Sequence, residues 1–175
     1  MTSAVLVIDV QRGIFDREPK PFEAEQVIEN INTVTARARE AQVPILFLQQ
    51  ELTSGWMAYG SESWQLQAQL EVDEGDIVIR KTRSDGFLHT TLHETLTSRG
   101  VSRLIVCGFA SEFCIDSTIR RASSLDYAIH IVSDAHTTHD KEHLTAEQIR
   151  NHHNVTLSMS PTIEATPAAE VTFTD

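Results

Sequence analysis

Residues 104–122 read Leu104-Ile105-Val106-Cys107-Gly108-Phe109-Ala110-Ser111-Glu112-Phe113-Cys114-Ile115-Asp116-Ser117-Thr118-Ile119-Arg120-Arg121-Ala122. The first four are apolar without alternation, the pattern of a strand covered on both faces. Ile115, Ile119 and Ala122 then recur at helical spacing, so the stretch reads as strand, turn and helix. The same unit repeats on either side. Apolar runs at 5–8, 43–48, 77–79 and 129–132 alternate with helical patterns at Val27, Ile31, Val34 and Ala38, and at Leu88, Leu92 and Leu96. Parallel strands need crossover helices, so the pattern predicts an α/β fold: an open, mostly parallel sheet of five or six strands with helices on both faces. Residues 155–157 are the candidate sixth strand, and an irregular tail is expected from about residue 158.

Two boundaries agree with this division. Gly100 follows the helix predicted over 88–99, and Pro44 opens a strand, where a missing donor is tolerable. Residues 51–63, with Gly55, Trp56, Tyr59 and Gly60, are long enough for a lid or an oligomer contact.

The length of 175 residues suits one domain. No apolar run approaches the roughly 18 residues of a membrane span, and the start of the chain shows no basic segment before its first strand. A cytoplasmic protein without a membrane partner is expected. The net charge of −11 repels phosphate backbones, so no nucleic-acid partner is expected either. The two cysteines, one on a strand and one at a helix start, are poorly placed for a disulfide.

In an open parallel sheet, ligands bind beyond the carboxyl ends of the strands. Three polar residues fall there: Asp9 after the first run, Lys81 after the third, and Cys114 after the fourth. An aspartate in that place also serves as a cap or loop anchor. Cys114 at a helix start would have its thiol pKa lowered by backbone amides and the helix dipole. The alternative for a free cysteine, a small buried hydrophobe, suits Cys107 better.

Taken together, Asp9-Val10-Gln11, Lys81-Thr82 with Phe87 and Thr90, the 108–114 segment with Asp116 and Thr118 behind it, and Ser133-Asp134-Ala135 resemble the isochorismatase-like cysteine hydrolases. The resemblance runs from about residue 4 to 157. It implies a Rossmann-like three-layer fold and a triad of Asp9, Lys81 and Cys114. The lysine would favour the thiolate, and the aspartate would accept the thiol proton and pass it to a leaving amine or activate water. The resemblance also implies a cis peptide at Phe109-Ala110 and an oxyanion hole made by the Ala110 and Cys114 amides.

Nicotinamidase members of the family carry an Asp-x-His metal motif where this chain has Gln49-Gln50-Glu51-Leu52-Thr53, so no metal and no cofactor is expected. His139 and His143 could share a helix face as metal ligands. Solvated histidines in an exposed stretch are the expectation. Gln11, Phe15, Gln50, Trp56 and Phe113 are the candidate substrate-binding residues, with core or interface roles open for Phe15 and Trp56. The turn Ser84-Asp85-Gly86-Phe87 is expected to shape the mouth of the site. The implied activity is cleavage of a C–N bond in a small amide, ureide or carbamoyl compound through a thioester. The alternatives are vinyl-ether hydrolysis of an isochorismate-like substrate and a silent binder or scaffold. Self-association into a homo-oligomer, a dimer or larger, is expected from the family.

Overall fold

The computed structural model describes residues 1–173. Six strands form one sheet: β1 (Ser3–Ile8), β2 (Ile45–Gln50), β3 (Ile77–Lys81), β4 (Arg103–Phe109), β5 (Ala128–Thr137) and β6 (Ile163–Thr166). All their pairings are parallel, in the order β3-β2-β1-β4-β5-β6. The chain therefore builds outward from β1 in one direction, then returns to pair β4 with its other side. That reversal opens a crevice beyond the carboxyl ends of β1 and β4.

Burial on both faces accounts for the unbroken apolar runs. Ala4, Leu6 and Ile8 join one core cluster, while Val5 and Val7 join the other. The first cluster is covered by α3 (Leu92–Thr97) and α4 (Asp116–Ser124), through Leu92, Leu96, Ile119 and Ala122. The second is covered by α2 (Ala24–Glu40), whose buried stripe of Val27, Ile28, Ile31, Val34 and Ala38 has the spacing of one helix face. A short α1 (Arg12–Phe15) follows β1. α2 stops where Gln42 turns to a φ of 55° and the Val43 amide reaches back to the Ala38 carbonyl, a left-handed cap that satisfies the last turn. Among the described residues, no helix is long and apolar enough to cross a membrane.

Two predicted elements differ. The helix expected over 88–99 is only Leu92–Thr97, and Leu88 is exposed. Upstream, Thr90 Oγ1 donates to the Gly86 carbonyl and accepts from the Leu92 amide, and His89 has a φ of 59°. Side-chain bonding to the backbone holds a turn there instead of a helix. Residues 155–157 are not a strand but the end of α5 (Ala146–Leu157). This helix starts with a reciprocal cap: Thr145 Oγ1 accepts from the Gln148 amide, and Gln148 Oε1 accepts from the Thr145 amide. The sixth strand comes later, inside the expected irregular tail, where Ile163 pairs with Ile129. The tail also holds a single helical turn, Ala168–Glu170.

Candidate active site

The sheet brings the three predicted catalytic residues together. Asp9 follows β1 directly, with a φ of 55°, and its amide is pinned to the Leu48 carbonyl of β2 at 2.8 Å. Lys81 ends β3 with its side chain fully buried. Cys114 lies in a π-helical turn, Ser111–Ile115, between β4 and α4.

Lys81 Nζ is the hub. It donates to Asp9 Oδ2 at 2.8 Å, Gln50 Oε1 at 2.8 Å, the Arg83 carbonyl at 3.2 Å and Cys114 Sγ at 3.2 Å. An ammonium has three hydrogens for these four acceptors. The two short contacts claim one each, so the sulfur shares the third with a carbonyl. A thiolate is a better acceptor than a thiol, and the contact can tighten as negative charge develops on sulfur.

Burial pushes the Cys114 thiol up to about 12, and the Asp9 carboxylate adds to the effect; Lys81 opposes both and is outweighed. This corrects the expectation that a helix start and a lysine would lower the thiol pKa: the resting group is a neutral thiol. Burial also raises the Asp9 carboxyl, against the pull of Lys81. Besides Lys81, the Asp9 carboxylate faces the Cys114 thiol and the Gln50 backbone, which places it to take the thiol proton. Cys107 is a fully buried free thiol with its pKa raised by burial alone, as suits a core residue.

The Phe109-Ala110 peptide is cis. In the turn that follows, the Ala110 carbonyl accepts the amides of Phe113 at 3.0 Å and Ile115 at 3.1 Å. The wide π-helical spacing passes over the Cys114 amide as a partner for that carbonyl. Gly108 makes the approach possible: its φ is +120°, and a β-carbon there would sit 2.1 Å from the Ile8 carbonyl oxygen.

A cavity of about 460 Å³ opens over the triad, lined in part by Asp9, Gln50, Ala110, Phe113 and Cys114. Of the five predicted substrate-binding residues, Gln50 and Phe113 are therefore at the site. Gln50 also holds Lys81, and Phe113 is an exposed ring at the mouth. The other three do not line this cavity. Gln11 is fully buried; its Nε2 donates to the Gln50 and Trp64 carbonyls and its Oε1 accepts the Gln50 amide, so it imitates one more strand residue beside β2. Phe15 is core, packed edge-on against Phe109 at 6.1 Å. Trp56 lines a neighbouring cavity of about 430 Å³ with Gly13, Arg17 and His139, reached past Ile14 and Phe109.

The cavity over the triad is also lined by Ile14, Leu52, Arg83 and Lys141, which sequence reasoning missed. Nothing in their local sequence marks them, since they arrive from α1 and three separate loops. Ser84 lines the mouth as expected, whereas Gly86 packs against Leu48 and Thr118. The 136–143 stretch also differs from expectation. β5 continues to Thr137, His136 to Thr138 are fully buried, and no helix places His139 and His143 on one face.

The family model for the isochorismatase domain matches residues 3–162. The chain belongs to the isochorismatase family. Among similar proteins is a streptothricin hydrolase of Streptomyces noursei, 36% identical over 138 residues, covering 78% of this chain and 50% of that protein. A ureidoacrylate amidohydrolase of Variovorax paradoxus is 30% identical over 175 residues, covering 79% and 69%. The chain thus spans about half the length of the streptothricin hydrolases it matches. A solved isochorismatase family protein superposes with a TM-score of 0.88 at 35% identity, over 94% of this chain and 97% of the other. An isochorismatase from Pseudomonas putida gives 0.88 at 28%, over 98% and 90%. Within the isochorismatase family, then, the similar proteins include ones named as hydrolases, among them a ureidoacrylate amidohydrolase.

Proposed function

We propose that the chain hydrolyses a C–N bond in a small amide, ureide or carbamoyl compound, with Cys114 as nucleophile. The observation that carries this reading is the single buried ammonium of Lys81 held at once by Asp9 and Cys114, both of which line the cavity. Because the resting thiol is neutral, attack and deprotonation belong to one step. Sγ bonds to the carbonyl carbon, its proton passes to Asp9, and the carbonyl π pair moves onto oxygen. The Ala110 and Cys114 amides are suited to stabilise that oxyanion. Collapse breaks the C–N bond as Asp9 returns the proton to nitrogen, leaving a thioester. Asp9 then takes a proton from water, whose oxygen attacks the thioester; the C–S bond breaks as Asp9 returns that proton to sulfur, and the acid leaves. A carboxyl whose pKa is raised by burial is better matched to this exchange near neutral pH than an ordinary aspartate.

No cofactor enters these steps. The relatives' names supply the first substrates to try: ureidoacrylate and streptothricin, followed by other small amides and ureides and by isochorismate. Turnover abolished in Cys114→Ala with the fold retained, together with an acyl adduct on Cys114, is the expected result. Undiminished amide hydrolysis in that variant overturns the proposal. The raised Asp9 carboxyl favours a second reading, protonation of a vinyl ether, and isochorismate turnover that survives Cys114→Ala would select it. No turnover across the panel would leave a silent binder. From the resemblance we also propose self-association, which sedimentation of the purified chain tests; a cytoplasmic location and a lid or interface role for the 51–63 loop are proposed from the sequence pattern.

A further inference from the structure

The turn that carries Cys114 is moored by a chain of polar groups that do not line the cavity. Ser111 and His136 are both fully buried, and Ser111 Oγ lies 2.8 Å from His136 Nδ1. His136 Nε2 lies 2.8 Å from Asn154 Oδ1 on α5, while Asn154 Nδ2 donates to the Ser133 carbonyl at 2.9 Å. These contacts fix the tautomer. With the Asn154 amide nitrogen committed to Ser133, its oxygen faces the histidine, so Nε2 carries the hydrogen and Nδ1 accepts from the Ser111 hydroxyl.

The placement of His136 depends on an irregularity in the sheet. Val106 pairs with Ile131, but Gly108 pairs with His136, so two steps along β4 match five along β5. The extra residues include Ser133-Asp134-Ala135. Asn154 holds the bulge at the Ser133 carbonyl, and Asn30 Nδ2 donates to the Asp134 carbonyl at 2.8 Å. A bulge re-aims the side chain that follows it. Here it sets His136 beside Gly108 and beneath the first residue of the turn.

We propose that Ser111, His136 and Asn154 form a neutral relay that positions the Ala110 and Cys114 amides against the developing oxyanion. The proposal rests on the hydrolase reading above. All three are positioning residues, since none lines the cavity over the triad. The charged groups around the relay include Arg150 of α5, paired with Glu23 at 2.8 Å, His153 of α5, 3.9 Å from Asp116 of α4, Asp134 of the bulge, whose Oδ1 accepts the Ala168 amide, and Glu112 of the turn, held by Thr138 and Lys141. Burial, with the charge of Arg150, holds His136 down to about 4, so the relay stays neutral across the working range.

The test uses two probes on the intact protein. Acetaldehyde labelled with carbon-13 adds the Cys114 thiol across its carbonyl: the S–C bond forms, the thiol proton ends on oxygen, and that oxygen occupies the oxyanion position. Its affinity, read by NMR, reports the amides. Iodoacetamide alkylation reports the thiol alone. Ser111→Ala is expected to weaken the aldehyde adduct about tenfold, by slight misplacement of the donors, while alkylation stays within about twofold. Asn154→Asp places a carboxylate on Nε2–H, which favours protonated His136 and puts a hydrogen on Nδ1 where Ser111 now donates. Its adduct should weaken as pH falls from 8 to 6, a limb that wild type lacks. Wild-type adduct affinity in both variants at every pH overturns the relay. So does a parallel loss of adduct and alkylation, which marks a general collapse of the turn. A wild-type protein that forms no adduct would instead remove the oxyanion hole and the hydrolase reading beneath it.

Discussion

Asp9→Asn should make Cys114 a better target for alkylation while stopping hydrolysis. The two contacts to Lys81 Nζ, 2.8 Å from Asp9 Oδ2 and 3.2 Å from Sγ, place the carboxylate and sulfur within their combined length of each other. At that outer limit of about 6 Å and an effective dielectric of about 20, one charge is worth at least about 3 kcal/mol, or about two pKa units. The substitution removes a negative charge and leaves Lys81 in place, so the thiol pKa falls and the thiolate fraction at pH 8 rises about a hundredfold. Part of that gain is lost, because a less basic thiolate is a weaker nucleophile, with a Brønsted slope of about 0.4–0.5. The net expectation is roughly tenfold faster alkylation. Turnover should fall by about 10²–10⁴, since the proton acceptor is gone. The assay is the pH dependence of iodoacetamide labelling followed by intact mass, with Cys114→Ala giving the background from Cys107. Slower or unchanged labelling in Asp9→Asn would show that the carboxylate does not hold the thiol proton in place, and the mechanism above would fall with it.

Three further outcomes follow from the packing. Gly108→Ala should cost more than about 4 kcal/mol, since the β-carbon meets the Ile8 backbone and the φ of +120° is hostile to a side chain; a thermal midpoint close to wild type would contradict the β1–β4 approach. Gln11→Leu strips partners from the Gln50 amide and from the Gln50 and Trp64 carbonyls, a loss of about 2–4 kcal/mol. Unchanged denaturant stability with only KM raised would return Gln11 to the substrate. Acid stability should depend on His136. Its folded pKa of about 4 lies below the value of about 6.5 in the unfolded chain, so the unfolded state binds the proton first and stability is lost as pH falls from 6.5 to 4, by up to about 3 kcal/mol. The raised Asp9 carboxyl works the other way, its protonation relieving a buried charge as pH drops. His136→Asn should flatten the difference in urea-unfolding free energy between pH 7 and pH 4.5, and an unaltered slope would count against a buried neutral histidine.

Much of the site was legible in the linear order of residues because a parallel sheet sends every strand's carboxyl end to one edge. Asp9, Lys81 and Cys114 each follow an apolar run, so the alternation of strands and helices was enough to predict their meeting. β1, β2, β4 and β5 were equally readable, since burial on both faces leaves little polar alternation to confuse them, whereas the edge strand β6 was not. Local bonds that compete with helix geometry were less visible. Thr90 shortened α3 through its hydroxyl, and the Thr145–Gln148 cap began a helix whose exposed Val155 had suggested a strand.

What the sequence determined by itself, then, was the order of elements and the identity of the three chemical groups, because both depend on short-range pattern and on side-chain type. The charge state of Cys114 was decided only in three dimensions: the thiol feels burial and the charge of an aspartate 105 positions away, and these outweigh the opposing pull of Lys81. The roles of Gln11, Phe15, Trp56 and His136 were settled in the same way. Proximity along the chain says that a residue is near a strand end, but a bulge of a few residues or one turn of α1 decides whether its side chain faces the cavity or the core. Burial and hydrogen bonding sum over neighbours that the chain brings from far away, and no local stretch contains that sum.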